Sequence, residues 1–480
     1  MASLVLASNR GPVEFRLEAD RSLSQRPSAS GLATMLTGGL AGESATWIAA
    51  AISEGDRVAA TRPAGEGSRP SMPTGLESVE VRNLSLDPDV YERYYGEVAN
   101  RTLWFLHHHL FDLSRTPVFG RTFQGGWHAY REVNDLFART CDEEVDRHGE
   151  VLFQDYHLSL APLMLRVRRP DVRIAHFTSC PWADADYFRI LPRPLAKALV
   201  DGLLGADLLG FMAPRWSQQF LQCCDQLGRD VDWRAGDVRT TDGRRVRVVA
   251  LPVGVDAVEL RRRVSRPECS AERRVLNDLA EGRRLLARVD RMEPSKNILR
   301  GLLAYELFLE RNPSMHERVV HYVHAHASRA SLAEYRAYAA DVDMRASLIN
   351  KRFATDHWQP VHLDTGESRW RALAVMSAAD ALIVNPVRDG MNLVCKEGAV
   401  VNDRDAVLIL STEAGAFPDL AEGALIVNPF DVSQLADAMA AAMTMGGAER
   451  ARRGQALRAG ATALPPRAWF QTLRDQLRNI

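Results

Sequence analysis

The sequence predicts an α/β protein of two domains, each built on a parallel sheet, and three observations carry that prediction. Short apolar runs of strand length recur between polar or turn residues, longer stretches with helical spacing separate them, and 480 residues are more than one ordinary domain needs. The runs are Leu4 to Ala7, Val172 to Phe177, Val246 to Val253, Leu285 to Val289, Val319 to Val323, Ala381 to Val384 and Ala406 to Leu410. Uninterrupted apolar strands of this kind are buried on both faces, as in parallel sheets covered by helices. Asn297 to Leu309 and Ser433 to Met445 carry the apolar spacing of helices between them.

These strands outnumber what one tidy sheet uses, and Leu251-Pro-Val-Gly-Val-Asp256 is a rigid, turn-forming stretch midway along the chain. The hinge is expected near 254 to 270, giving domains at 1-255 and 256-460 and a C-terminal piece at 461-480. Within that piece, Pro465 to Ile480 is expected as an amphipathic helix packing back on the body. Arg57 to Pro73, rich in Arg, Gly and Pro, is expected as a surface loop. Open parallel sheets bind ligands at the carboxyl ends of their strands, so two of them facing each other would make a cleft.

Composition narrows the function. With 60 Lys+Arg against 61 Asp+Glu the formal charge is −1, which gives no basic footprint for nucleic acid. Hydrophobic residues at 46% and charged residues at 25% are the ordinary globular mix, and no apolar run is long enough to span a membrane. The opening Met1 to Arg10 has neither the basic start nor the apolar length of a signal peptide, so a cytoplasmic location is expected. Cysteines at 141, 180, 223, 224, 269 and 395 form neither a CxxC pair nor a zinc spacing and are expected as reduced thiols.

Two segments carry chemistry. Arg288-Val-Asp-Arg-Met-Glu-Pro-Ser-Lys-Asn-Ile298 runs from an apolar strand into a polar turn that holds Arg291 and Lys296. Two cations delivered at a strand end can neutralise a diphosphate without a metal; a solvated loop would also read this way. Asn385-Pro-Val-Arg-Asp-Gly-Met-Asn-Leu-Val-Cys-Lys-Glu397 again follows an apolar strand and leads into a helix. Gly390 lets backbone approach a ligand, the amides at the helix start suit an anion or hydroxyls, and Asp389 stands just before them. Glu397, expected about two turns down that helix, can accept hydrogen bonds from a ribose diol.

In this order, the two segments resemble the retaining nucleotide-sugar glycosyltransferases of the GT-B fold, with two Rossmann-like domains, and more closely the trehalose-6-phosphate synthase family. Further blocks across the chain look like that family's: Ser8-Asn-Arg-Gly-Pro-Val13, Ser30-Gly-Leu32, Tyr94-Tyr95 with Trp104, Asp155-Tyr-His-Leu158, Pro181 with Tyr187 to Pro192, Pro252 to Asp256, and Ser328-Arg329. The resemblance implies that Arg291 and Lys296 hold the donor diphosphate, Glu397 the donor ribose, and that Gly31 closes over the phosphates. It also implies that Asp389 and the amides of Gly390, Met391, Asn392 and Leu393 hold the donor sugar. Arg10, Tyr95, Trp104 and Arg329 match the set that grips glucose 6-phosphate, and Asp155 matches a carboxylate on the acceptor sugar near the reaction centre. Two arginines and a phenol suit a dianionic phosphate, and an indole face suits a sugar ring.

One block departs from the family pattern. His176-Phe-Thr-Ser-Cys-Pro-Trp182 places Ser179 where the family has its active-site histidine. His176, three residues earlier on an extended strand, is expected to face the other way. The family's mechanism, front-face departure without an enzyme nucleophile, does not depend on that histidine for a covalent step. The implied function is transfer of a hexosyl unit, glucosyl first, from a nucleotide diphosphate sugar to a sugar phosphate such as glucose 6-phosphate, giving trehalose 6-phosphate or an analogue. The replacement keeps open a specialised-metabolism paralogue with another donor or a nucleoside or cyclitol phosphate acceptor. A catalytically silent sugar-phosphate sensor also stays open. No cofactor or metal is expected, the partners are small molecules rather than nucleic acid or membrane, and a homo-oligomer is left open.

Other signals carry less. Asp184-Ala-Asp186 has the form of a metal-binding DxD but reads as a helix start. His107, His108 and His109 are consecutive and point three ways on a helix. His324 and His326 share a strand face and read first as core histidines, and Cys223-Cys224 as small buried residues.

Overall fold

In the computed structural model, which describes residues 2–28, 31–61 and 75–480, Met1–Pro252 joins Pro466–Ile480 in one unit and Val253–Pro465 forms another. The first unit carries β1 (Ala2–Ser8), β2 (Val13–Leu17), β3 (Leu23–Pro27), β4 (Ala45–Ala50), β5 (Val79–Leu84), β6 (Val145–Gln154), β7 (Arg173–Thr178), β8 (Leu208–Phe211), β9 (Asp230–Asp232), β10 (Asp237–Arg239) and β11 (Arg245–Ala250). Its large sheet has the order β5-β4-β1-β6-β7-β8-β11-β10-β9, parallel from β5 to β11 and antiparallel beyond. β2 and β3 form a separate hairpin. Leu4, Val5, Leu6 and Ala7 are buried because β1 lies between β4 and β6. The run expected to Val253 stops as a strand at Ala250, since Pro252 has no N–H to give a ladder.

The second unit carries β12 (Arg284–Met292), β13 (Val319–Ala327), β14 (Val361–Asp364), β15 (Ala381–Val384), β16 (Val407–Ser411) and β17 (Leu425–Val427). They form one parallel sheet of order β14-β13-β12-β15-β16-β17. Helices Ile298–Arg311 and Val432–Thr444 pack against it, putting Leu302, Phe308, Leu435 and Met439 into the same core as Val320 and Ile383. Here α/β connections bring every strand's carboxyl end to one edge, and the motifs that follow β12, β13 and β15 gather there.

Two boundaries differ from the sequence expectation: the units divide after Pro252 rather than at 255 or within 254 to 270, and the second unit ends at Pro465 rather than 460. Helix Gly447–Thr462 runs through position 460 without a break, and the chain leaves the second unit after Pro465. Helix Pro466–Arg478 then buries Trp469, Phe470, Leu473 and Leu477 in the first unit. The Trp469 indole donates to the Leu251 carbonyl at 3.0 Å and stands edge-on to Phe177, while Arg474 bonds Glu150 and Glu43, each at 2.7 Å. Arg57 is not in a loop: it belongs to helix Glu54–Thr61, where Asp56 accepts the Ser53 amide at 2.8 Å. The rest of the loop expected to Pro73, together with Ser30, lies outside the described residues.

Candidate functional site

In the second unit the two motif segments meet. Arg291 is near the end of β12, and Lys296 closes the short 3-10 turn Pro294–Lys296 that follows. Arg288, fully buried, fixes that turn from below: its Nη1 donates to Asp290 at 2.9 Å and to the Lys296 carbonyl at 3.0 Å, and its Nη2 reaches Asn385. The Val387 amide donates to the Ser295 carbonyl at 2.9 Å, stitching the turn after β15 to the turn after β12. Lys296 Nζ reaches Asp389 in a direct ion pair whose side chains are 13% and 14% exposed. Burial raises the Asp290 carboxyl to about 6, against the pull of Arg288 and Lys296.

Asp389 accepts a second bond, from Asn392 Nδ2 at 3.1 Å. Its backbone is laced to the next loop, with its amide donating to the Glu413 carbonyl at 3.1 Å and the Gly415 amide to its own carbonyl at 3.0 Å. Only glycine fits at 415, because a Cβ there would stand 1.8 Å from the Gly390 carbonyl. Met391 is buried beside this loop, its carbonyl accepting the Ala416 amide at 2.8 Å. Asn392 adopts φ 69 and caps the helix Leu393–Val401 by accepting the Cys395 amide. The helix therefore starts four residues after Asp389, and Glu397 sits just over one turn into it rather than two turns down from Asp389. Burial raises the half-buried Glu397 carboxyl to about 7, with Arg263 opposing.

The sequence reading missed the residue that organises the cations. Glu293, fully buried between Arg291 and Lys296 in sequence, takes Arg291 Nη2 on Oε1 and Arg329 Nη1 on Oε2, each at 3.0 Å. Ser295 Oγ donates to Oε1 at 3.0 Å. Although burial pushes against its charge, Arg291, Arg329 and Lys296 hold this carboxyl below its ordinary range. Arg329, at φ 45 just past β13, also donates to the Tyr335 hydroxyl at 2.9 Å. An acid two residues after Arg291 was visible in the motif, but nothing in its spacing named Arg329 as a partner.

In the first unit, Arg10 follows β1 and is exposed, in hydrogen bond with the Tyr95 phenol. Tyr95 is stacked between Tyr91, at 5.3 Å, and His157, at 5.7 Å. Tyr95 and Trp104 both lie on a π-helix, Arg93–Trp104, an uncommon geometry that re-aims side chains relative to an α-helix. The Trp104 ring is buried against His108 and Tyr156. Asn9 ties the group together, bonding the Tyr91 and Tyr94 hydroxyls at 3.2 Å each. Gly31 is exposed at the first position of helix Gly31–Gly39.

Asp155 follows β6 at φ 68 and ψ 169, a backbone conformation few non-glycine residues tolerate. Its carboxylate accepts Ser179 Oγ at 2.7 Å and the amides of Tyr156 at 3.2 Å and Ser179 at 3.3 Å. Burial outweighs these donors and raises its carboxyl above the ordinary range. His176 reaches the other side of the same residue, with Nε2 3.0 Å from the Asp155 carbonyl, and burial depresses the imidazole to about 4. It is a neutral donor packed beneath the backbone, while Ser179 approaches the carboxylate.

The lesser signals resolve into local structure. Asp184 accepts the Tyr187 amide at 2.9 Å as the cap of helix Ala185–Phe188. His107 accepts the Ala183 amide at 3.2 Å, His108 bonds the Trp104 carbonyl at 2.9 Å, and His109 faces Asp184 at 3.4 Å. His324 is held by Asp364 at 2.9 Å, whereas His326 is half-buried in register with Arg291. Cys223 accepts the Trp182 indole at 3.4 Å.

Comparison with known proteins matches the chain to a family. The family model for glycosyltransferase family 20 matches residues 2–479. The chain is 32% identical to a trehalose-6-phosphate synthase of Mycobacterium sp. (strain JLS), covering 99% of this chain and 96% of the relative. A solved Escherichia coli structure bound with UDP-2-fluoro glucose superposes with a TM-score of 0.84 at 26% identity, covering 99% of both chains. A Burkholderia xenovorans α,α-trehalose-phosphate synthase (UDP-forming), in complex with glucose 6-phosphate, gives a TM-score of 0.84, also at 26% identity and 99% coverage of both. The GT-B fold expected from the sequence is thus the fold found.

Proposed function

The chain belongs to glycosyltransferase family 20, and on that premise we propose that it transfers a glucosyl unit from UDP-glucose to glucose 6-phosphate with retention, forming trehalose 6-phosphate. The observation that carries the proposal is the set of three cations, Arg291, Lys296 and Arg329, held at the strand ends of one sheet by the buried carboxylate of Glu293 and the partly buried one of Asp389. Such a set is suited to two anionic substrates, because guanidinium and ammonium groups stay charged at neutral pH and form charge-assisted hydrogen bonds to phosphate oxygens. Support for UDP-glucose and glucose 6-phosphate comes from the relatives named UDP-forming trehalose-phosphate synthases and from their complexes.

In this reading Arg291 and Lys296 hold the donor diphosphate and take up the charge that develops on it as the glycosidic bond breaks. Lys296 releases Asp389 to the donor sugar hydroxyls, with the amides of Gly390, Met391, Asn392 and Leu393 beside it. Glu397, when ionised, accepts the ribose diol. Arg10, Tyr95 and Arg329 are assigned to the acceptor phosphate. Asp155, kept in place by Ser179 and its strained backbone, orients the acceptor hydroxyl for attack on the face the diphosphate leaves. The reaction needs no metal, since the two cations carry the charge. Incubating the protein with UDP-glucose and glucose 6-phosphate in EDTA and weighing the products by mass spectrometry tests this: a disaccharide monophosphate plus UDP is expected, and donor binding without that product would reject the acceptor or the sugar.

A further inference from the structure

Arg291 and Arg329 sit at the ends of neighbouring strands, and one buried carboxylate serves both. Glu293 gives one oxygen to each guanidinium at 3.0 Å and is itself inaccessible to solvent. Two guanidinium groups brought this close repel, and a buried carboxylate is costly unless paired, so each arginine is held through its own bond to Glu293. The rest of the setting is rigid. Ser295 Oγ fixes the first oxygen, Pro294 follows directly, the Lys296 amide donates to the Glu293 carbonyl at 3.1 Å, and the Arg329 Nη1 that reaches Glu293 also donates to the Tyr335 hydroxyl at 2.9 Å.

We infer that Glu293 is a positioning residue that sets the donor-diphosphate arginine and the acceptor-phosphate arginine as one unit, so that a residue touching neither substrate controls affinity for both. The inference rests on the proposed assignment of Arg291 to the donor and Arg329 to the acceptor. Without Glu293 the two cations lose their common anchor and separate, and each must be ordered again when its anion binds.

The test is calorimetric titration of UDP and, separately, of glucose 6-phosphate into wild type, Glu293→Ala, Glu293→Gln, Arg329→Ala and the Glu293→Ala/Arg329→Ala double variant. Loss of a charge-assisted hydrogen bond at each arginine predicts a rise of roughly tenfold in both dissociation constants for Glu293→Ala. Glu293→Gln, which keeps an acceptor oxygen, is expected to fall between. On the Arg329→Ala background, Glu293→Ala should still weaken UDP by the same factor and should no longer weaken glucose 6-phosphate. A purely structural role would lower the fraction of active sites and leave both constants unchanged. That result, an effect on one ligand alone, or full additivity for glucose 6-phosphate would overturn the inference. Should Glu293→Ala fail to fold, Glu293→Gln and Arg329→Ala/Glu293→Gln give the same comparison. Binding of both ligands without turnover rejects the proposed reaction and still reads out the coupling, while wild type binding neither ligand overturns both.

Discussion

Replacing Lys296 with alanine removes the cation that faces Asp389, and the structure sets the size of the effect. The ammonium is 13% exposed and its partner carboxylate 14% exposed, so neither is well screened by water. After truncation Asp389 keeps the Asn392 amide at 3.1 Å but loses its counter-charge, and it then stands uncompensated where the diphosphate is proposed to bind. A charge-assisted hydrogen bond contributes about 1.5 to 3 kcal/mol. At about 1.4 kcal/mol per factor of ten, that is a rise of roughly 10- to 150-fold in the dissociation constant of UDP. Repulsion from the stranded carboxylate puts the expected value toward the upper end. Calorimetric titration of UDP into wild type, Lys296→Ala and Lys296→Ala/Asp389→Asn reads this directly. The double variant removes the stranded charge and should recover part of the loss. A dissociation constant for Lys296→Ala within about twofold of wild type would refute the reasoning.

Four further outcomes are expected. Arg329→Ala should raise the KM for glucose 6-phosphate by roughly ten- to a hundredfold while changing the donor KM little, and equal shifts in initial-rate kinetics would remove Arg329 from the acceptor side. With Glu397 raised to about 7, its carboxyl is protonated below that pH and ionised above it, so UDP should bind more tightly at pH 8 than at pH 6, and Glu397→Gln should flatten that dependence; a variant with the wild-type slope would count against the ribose contact. Ser179→Ala deletes the 2.7 Å donor to Asp155, raising the carboxyl further, so the acid limb of the pH–rate profile should move to higher pH; an unmoved limb would show that Asp155 does not work as the ionised group. Trp469→Ala empties a fully buried site against Phe177 and should cost about 3 to 5 kcal/mol, seen as a fall of several degrees in the first thermal transition, and an unchanged transition would show that the C-terminal helix contributes little.

Sequence legibility followed the range of the interactions. β1, β7, β12, β13, β15 and β16 were visible because parallel strands buried on both faces read as apolar runs. β4, Ala-Thr-Trp-Ile-Ala-Ala, is entirely buried but too alanine-rich to stand out. β6 was hidden by Asp146, Arg147, His148 and Glu150 within it; Glu150 is buried only because Arg474 and Arg478 arrive from the far end of the chain. The candidate site shows the same division. Arg291, Lys296, Asp389 and Glu397 lie in two short segments at strand ends, which the local pattern singled out as candidates. Glu293 gains its role from Arg329, 36 residues away, and the Ser179 bond to Asp155 spans 24 residues. Neither contact has a spacing that announces it. The start of the helix at Leu393 was misjudged because Asn392 takes a left-handed backbone, which asparagine tolerates and the apolar pattern does not record.

The most direct measurement is a proton NMR time course of the protein with UDP-glucose and glucose 6-phosphate. Both are expected to be consumed together while UDP accumulates, and the new glycosidic linkage is expected to carry the donor glucosyl in the α configuration from the earliest spectra. A β-configured product, free glucose in place of a disaccharide phosphate, or no consumption of donor would contradict the proposed reaction.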